Sequence, residues 1–179
     1  WVRNYYLTSW LQSRLRKNPD GIFLKFNDRT YTIIDIARNI PIIQKAFSAS
    51  GIKPGYKIII ILPNGIEMIE LMLTCFEFGI ISVPLSNNVT NNELGKIVDV
   101  IQPDTIITNW ELSKNISNIS IPKLFIEELS SIGRGCQELK FEYEPNLNDI
   151  CTIMMTSGTT DSPKAVQLTY NNFKSSCEN

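Results

Sequence analysis

The twenty residues from Asp149 to Leu168 read DICTIMMTSGTTDSPKAVQL and carry the most information about the fold. An apolar run, Ile150–Met155, leads into a loop with four hydroxyl side chains in five residues. The dipeptide Pro163-Lys164 then leads into a second short run, Ala165–Leu168. The pattern predicts a strand, a loop and a second strand.

The predicted loop has the composition of a phosphate-binding turn. Gly158 lets the backbone approach a ligand closely, and successive backbone N–H groups in such turns form an anion-binding nest. Lys164 adds a compact positive charge. A Ser/Thr/Gly cluster alone is typical of a solvated loop, so the phosphate interpretation depends on the whole strand–loop–Pro-Lys–strand combination. The candidate ligand-binding residues are Thr156, Ser157, Gly158, Thr159, Thr160 and Lys164.

Upstream of this stretch, apolar strands alternate with amphipathic helices. The wholly apolar run Ile58–Leu62 is typical of a strand buried on both faces of a parallel sheet. The predicted order is a strand at 57–62, a helix at 66–78, a strand at 80–85, a helix from Thr90 to about Ile101, and strands at 104–108 and 119–126. This order predicts an α/β fold with a mostly parallel sheet and flanking helices.

Ligands of such sheets bind at the carboxyl ends of the strands. Pro63-Asn64 and Pro84–Asn88 follow predicted strands and are candidates for that edge, although plain strand–helix turns explain them equally well. The polar stretch 127–148 is predicted to be a loop. Three glutamates are predicted to form the solvated edge of a helix, and two methionines to fill the core: Glu67, Glu70, Glu77, Met154 and Met155.

The first fifty residues predict a helix, a hairpin and a longer helix. Apolar residues have helical spacing between Tyr5 and Lys17, and Ile22–Phe26 with Thr30-Tyr31 has the pattern of a small hairpin. Thr32 and Asp35 resemble a capping box that begins a helix running to about Ser48. Pro41 lies inside that helix and is predicted to kink or break it.

The composition excludes several classes of function. The 179 residues contain no histidine, which excludes Ser-His-Asp and Cys-His catalysis and imidazole metal sites within this sequence. The net charge is -1, so the basic footprint of a nucleic-acid binder is absent. Four cysteines with no CxxC pair predict reduced cytoplasmic thiols, and no apolar run is long enough to cross a membrane.

The segment Thr156–Val166, TSGTTDSPKAV, closely resembles the signature TSGTTGxPKG of adenylate-forming enzymes. That superfamily includes acyl-CoA synthetases, luciferases and the adenylation domains of peptide synthetases. Shorter resemblances extend over most of the chain, including Thr30–Thr32, Gly51–Gly55, Ile59–Phe78 and Gly79–Leu85. Asp161 departs from the pattern, because the family has glycine at that position. Either the loop turns the Asp161 carboxylate outward or nucleotide affinity is reduced.

The resemblance implies an enzyme that joins a carboxylic acid to ATP and transfers the acyl group to coenzyme A. ATP, Mg²⁺ and coenzyme A are the implied cofactors, and the candidate loop would hold the ATP phosphates. Residues 1–179 would be a partial N-terminal AMP-binding domain, inactive alone. No catalytic residue and no metal ligand are assigned, because the family's adenine-binding, Mg²⁺-linked and catalytic segments lie downstream of these motifs.

The subgroup most similar to this sequence is the o-succinylbenzoate–CoA ligases of menaquinone synthesis. Trp10–Arg14 and Gln167–Ser176 carry that similarity. A fatty or aryl acyl-CoA ligase, an adenylation domain serving a carrier protein, and a non-catalytic nucleotide-binding remnant are the alternatives. The expected partners are a small carboxylic acid, ATP and coenzyme A, in the cytoplasm, with a homodimer left open and no nucleic acid.

Overall fold

The computed structural model describes residues 8–136, 143–156 and 163–178. The strands are β1 (Ile22–Phe26), β2 (Arg29–Thr32), β3 (Lys57–Ile61), β4 (Ile81–Leu85), β5 (Thr105–Thr108), β6 (Lys123–Phe125), β7 (Ile150–Thr156) and β8 (Lys164–Thr169). The helices are α1 (Thr8–Lys17), α2 (Ile33–Ala49), α3 (Ile66–Glu77), α4 (Asn91–Ile101), α5 (Trp110–Ser113), α6 (Ile126–Gly135) and α7 (Tyr170–Glu178), with a 3-10 turn at Lys114–Ile116. No helix in these ranges is long and apolar enough to cross a membrane.

A six-stranded sheet in the order β6-β5-β3-β4-β7-β8 organises the chain. All neighbours are parallel except β7 and β8, which form an antiparallel hairpin. The prediction of an α/β fold with a mostly parallel sheet and flanking helices is confirmed. Strands β1 and β2 form a separate antiparallel pair, as the sequence predicts. The fourth parallel strand, β6, lies at the edge of the sheet, in agreement with the position of Pro122 just before it.

Strand β3 is buried on both faces. Ile58 and Ile60 pack into one core with helices α2, α3 and α6, whereas Ile59 and Ile61 pack into the other with helix α4. Because side chains alternate along a strand, an unbroken apolar run is what two opposite cores require. The interpretation of this run as a central parallel strand is therefore confirmed.

Helix α2 continues through Pro41, so the predicted break does not occur. Its start is as predicted: the Thr32 hydroxyl accepts a hydrogen bond from the Asp35 N–H, and the Asp35 carboxylate accepts one from the Thr32 N–H at 2.9 Å. A proline inside a helix costs about 3 kcal/mol. Several buried large apolar residues outweigh that cost, since each such side chain contributes about 1.5–3 kcal/mol. They are Ile36, Ile40, Ile43 and Phe47.

Part of the stretch predicted to be a loop, 127–148, is helical. Helix α6 covers Ile126–Gly135, and it packs on α2 with Leu129 in the core. Two glycines and two serines give this segment a low helix propensity, so tertiary packing overrides the local signal. Residues 137–142 lie outside the described ranges.

The prediction that Glu70 and Glu77 are solvated is wrong. Glu70 is only 7% exposed and accepts a hydrogen bond from Asn39 Nδ2 at 2.8 Å. Glu77 accepts one from Gln44 Nε2 at 2.9 Å. Burial raises the pKa of both carboxyl groups, that of Glu77 to about 7. Helix α3 therefore presents these carboxyl groups to α2, and only Glu67 is exposed as predicted.

We expect Glu77→Gln to stabilise the protein at pH 8 and to leave its stability nearly unchanged at pH 4. Because the folded-state pKa is raised to about 7, the favourable contribution of Glu77 is present below pH 4.5 and is lost as the pH rises through 7. The glutamine keeps an oxygen that can accept from Gln44 and cannot ionise. Urea unfolding at both pH values should show a gain of about 1–2 kcal/mol at pH 8 only.

The exposed Glu67 on the same helix provides the control. Glu67→Gln should change the free energy of unfolding by less than about 0.5 kcal/mol at either pH. If Glu77→Gln shows no difference between the two pH values, the Glu77 carboxylate is solvated in the folded protein.

Candidate functional site

The two ends of the predicted phosphate loop lie directly opposite each other. Thr156 is the last residue of β7 and Lys164 the first of β8, and the two are paired in the antiparallel ladder. The Thr156 hydroxyl donates to the Lys164 carbonyl at 3.5 Å, and both residues are exposed. The structure therefore places a threonine and a lysine as backbone partners at the mouth of one hairpin.

Residues 157–162, between these two ends, lie outside the described part of the chain. They include four of the six predicted site residues, Ser157, Gly158, Thr159 and Thr160, and the departure from the family pattern, Asp161. Their role as phosphate ligands stays a prediction.

The base of this hairpin is anchored to helix α3. The Tyr170 hydroxyl donates to the Phe76 carbonyl at 2.7 Å, and the two rings meet edge to face at 4.4 Å. Burial raises the pKa of Tyr170, so the phenol stays protonated and remains a donor. The Thr169 hydroxyl accepts from the Asn172 N–H at 3.4 Å and caps α7.

One face of the hairpin is less buried than the sequence predicts. Met154 is 41% exposed and lies opposite Val166, which is 45% exposed. Met155 packs against the core on the α4 side, so only one of the two methionines is a core residue. Side chains alternate along a strand, and Met154 therefore shares its face of β7 with Thr156.

The hairpin opens at the same edge of the sheet as the other parallel strands. Because β7 is parallel to β4, Thr156 lies toward the edge of the sheet where the parallel strands end. Pro63-Asn64 follows β3 at this edge, and Pro84–Asn88 spans the end of β4 and the residues just after it. The predicted position of both segments at carboxyl ends is confirmed. A cavity of about 620 Å³ lies at this edge. Its lining includes Pro63, Asn64, Gly65, Asn109, the β1–β2 turn residues Asn27 and Asp28, and Arg29 at the start of β2.

The sequence predicts the β1–β2 hairpin but not that its turn reaches this cavity. Sequence reasoning also missed Asn109, which directly follows β5 and caps α5 by accepting from the Leu112 N–H at 2.7 Å. The carboxyl-end rule applied to β5 would have found Asn109. The turn depends on how the hairpin docks, and no local signal predicts that.

Two other chemical possibilities have little support in the described residues. Burial raises the pKa of the Cys151 thiol to about 11 and that of Cys75 even further, so both stay neutral and unreactive near pH 7. Within residues 8–136, 143–156 and 163–178, no group of three His, Cys, Asp or Glu side chains could hold a metal ion. The exposed Lys164 at the hairpin mouth provides a positive charge suited to an anionic ligand.

A model of the AMP-binding enzyme family matches residues 11–179. The 2-succinylbenzoate–CoA ligase of Oceanobacillus iheyensis is 29% identical over 164 residues, which are 91% of this chain and 34% of that protein. The feruloyl-CoA synthase of an Amycolatopsis species is 24% identical over 178 residues, which are 99% of this chain and 36% of that protein.

A solved structure of an o-succinylbenzoate–CoA ligase is also similar to this chain. The o-succinylbenzoate CoA synthetase (MenE) of Bacillus subtilis, in complex with the acyl-adenylate intermediate OSB-AMP, superposes with a TM-score of 0.82 at 25% identity. The match covers 94% of this chain and 34% of that one. The chain thus spans about a third of the length of the relatives it matches.

Proposed function

The chain belongs to the AMP-binding enzyme family, and on that premise we propose that the full-length protein is an ATP-dependent acid–CoA ligase. Residues 1–179 would be the N-terminal part of its AMP-binding domain. The acid's carboxylate oxygen attacks the α-phosphorus of ATP, the bond to pyrophosphate breaks, and the acyl group of the adenylate then passes to the thiol of coenzyme A.

The observation that carries the proposal is the pairing of Thr156 with Lys164 at the hairpin mouth, within a family signature. We assign the ATP phosphates to Thr156, Ser157, Gly158, Thr159, Thr160 and Lys164. Negative charge develops on the leaving pyrophosphate, and a fixed lysine cation with nearby hydroxyl and backbone donors stabilises that charge. Mg²⁺ would neutralise further phosphate charge, and we assign it no ligand among the described residues.

We propose o-succinylbenzoate as the acid. The support is the 29% identity to a 2-succinylbenzoate–CoA ligase and the 0.82 TM-score against a structure that holds the OSB-AMP intermediate. An aryl acid such as ferulate is the second candidate, because the feruloyl-CoA synthase aligns over 99% of this chain at 24% identity. The acceptor in either case would be coenzyme A.

The test is acid-dependent ATP–pyrophosphate exchange by the natural full-length protein across a panel of carboxylic acids. Selective exchange with o-succinylbenzoate supports the proposal in full. Exchange with ferulate or fatty acids retains the family chemistry and rejects the proposed acid. Exchange with no acid rejects the ligase and favours a non-catalytic nucleotide-binding protein.

The same assay separates the full-length protein from residues 1–179 expressed alone. We propose that the 179 residues are inactive, because they span about a third of the related ligases. Any acid-dependent exchange by the 179-residue chain would contradict that part of the proposal.

A further inference from the structure

Strands β4 and β7 meet at a single pair of residues in register, Ser82 opposite Thr152. Strands β3 and β4 share five such pairs, and β7 and β8 share six. The signature hairpin, defined here as β7 and β8, is therefore internally well paired and shares one registered pair with the parallel sheet. Among the described residues, strand β8 lies at the outer edge of the sheet.

Two buried hydroxyl groups join the strands at that position. The Ser82 and Thr152 side chains, each 3% exposed, hydrogen-bond to each other. The Thr152 hydroxyl also donates to the Ser82 carbonyl at 3.1 Å, and the Cys151 carbonyl lies 3.4 Å from the Ser82 hydroxyl. We name this pair the hydroxyl clasp. Buried hydroxyls that lose a partner are costly, so the pair resists separation of the two strands.

We propose that Ser82 and Thr152 are positioning residues that set where the signature hairpin holds Thr156 and Lys164. The proposal rests on the proposed function, in which that hairpin binds the ATP phosphates. Thr156 lies four residues beyond the clasp, a distance of about 13 Å along the strand. A rotation of the hairpin by only about 5° at the clasp would move Thr156 by about 1 Å. Hydrogen bonds weaken steeply beyond their normal length, so a shift of that size weakens the hairpin's contacts with the ATP phosphates.

Apolar packing holds only one face of the hairpin near the loop. Ile153 and Met155 pack into the core on the opposite face of β7, whereas Met154 and Val166, on the clasp-side face beyond Thr152, are exposed within the described part of the chain. Tyr170 fixes the base of the hairpin, at the end remote from the loop. The hydroxyl clasp is thus the last described hydrogen-bonded contact between the hairpin and β4 before the loop.

The experiment compares Thr152→Val and Thr152→Ser with a matched control, Thr105→Val, in the full-length protein. The Thr105 hydroxyl is also buried and donates across a strand boundary, to the Pro122 carbonyl at 2.8 Å, at the other side of the sheet. We expect Thr152→Val to raise the KM for ATP in pyrophosphate exchange at least tenfold while leaving the KM for the acid within twofold. Thr152→Ser should restore the wild-type KM for ATP.

Thr105→Val should lower the thermal midpoint as much as Thr152→Val does and leave the KM for ATP unchanged. An equal effect of the two valine variants on the KM for ATP would overturn the proposal. So would a serine variant that behaves like the valine variant.

Hydrogen exchange supplies a readout that needs no nucleotide. The amides where β4 meets β7, those of Ser82, Val83, Thr152 and Ile153, should exchange hydrogen at least tenfold faster in Thr152→Val than in Thr105→Val. If the wild-type protein shows no ATP–pyrophosphate exchange with any acid, the proposed function fails. The hydrogen exchange of these amides then tests by itself whether the clasp holds the hairpin on β4. Unchanged hydrogen exchange at these four amides would overturn the proposed role of the clasp.

Discussion

Gly133→Ala is expected to destabilise the protein by about 3 kcal/mol, because no space exists for a methyl group at this contact between helices. A Cβ atom on Gly133 would lie 2.0 Å from the backbone oxygen of Ile42 in helix α2. Backbone atoms cannot rotate away as a flexible side chain can, so α6 would have to move off α2 and expose Leu129, which is 1% exposed. The thermal midpoint should fall by about 6–12 °C.

Gly95→Ala is the matched control. Gly95 also lies inside a helix, α4, and a Cβ atom there would meet no atom within 4 Å. Alanine has a higher helix propensity than glycine, so the free energy of unfolding of this variant should rise by about 0.5–1 kcal/mol. If Gly133→Ala gains stability in the same way, helices α2 and α6 are farther apart in solution than this contact requires.

The elements that the sequence predicts well are those whose signals are local. Thr90 with Glu93 and Thr32 with Asp35 form both reciprocal bonds of a capping box, because each box involves only neighbours in the chain. Helix α6 depends on the close contact at Gly133, whose partner Ile42 lies about ninety residues earlier in the chain. The burial of Glu70 similarly depends on Asn39 in another helix.

The candidate site divides in the same way. The strand–loop–strand pattern predicts that Thr156 and Lys164 end and begin neighbouring strands, and the two residues are paired. The single registered pair between Ser82 and Thr152 cannot be read from either segment, because it joins strands seventy residues apart. The cavity beside Asn109 likewise forms only when the β1–β2 turn docks at the sheet edge.

Lys164→Ala is expected to reduce kcat/KM for ATP in pyrophosphate exchange by about a hundredfold to a thousandfold. A charge-assisted bond from the lysine to a phosphate oxygen is stronger than a neutral one, and it strengthens as charge builds on the leaving pyrophosphate. The change should not affect folding, because Lys164 is exposed and its pairing with Thr156 uses backbone atoms and the Thr156 hydroxyl. The thermal midpoint should therefore stay within about 2 °C.

Two further variants separate a specific phosphate contact from a general loss of positive charge. Lys25→Ala removes an exposed lysine from strand β1 in the other sheet and should leave exchange unchanged. Lys164→Arg keeps the charge but alters its shape and should recover part of the activity. A solvated loop with no ligand predicts instead that Lys164→Ala and Lys25→Ala behave alike, so equal exchange rates in those two variants would remove Lys164 from the site.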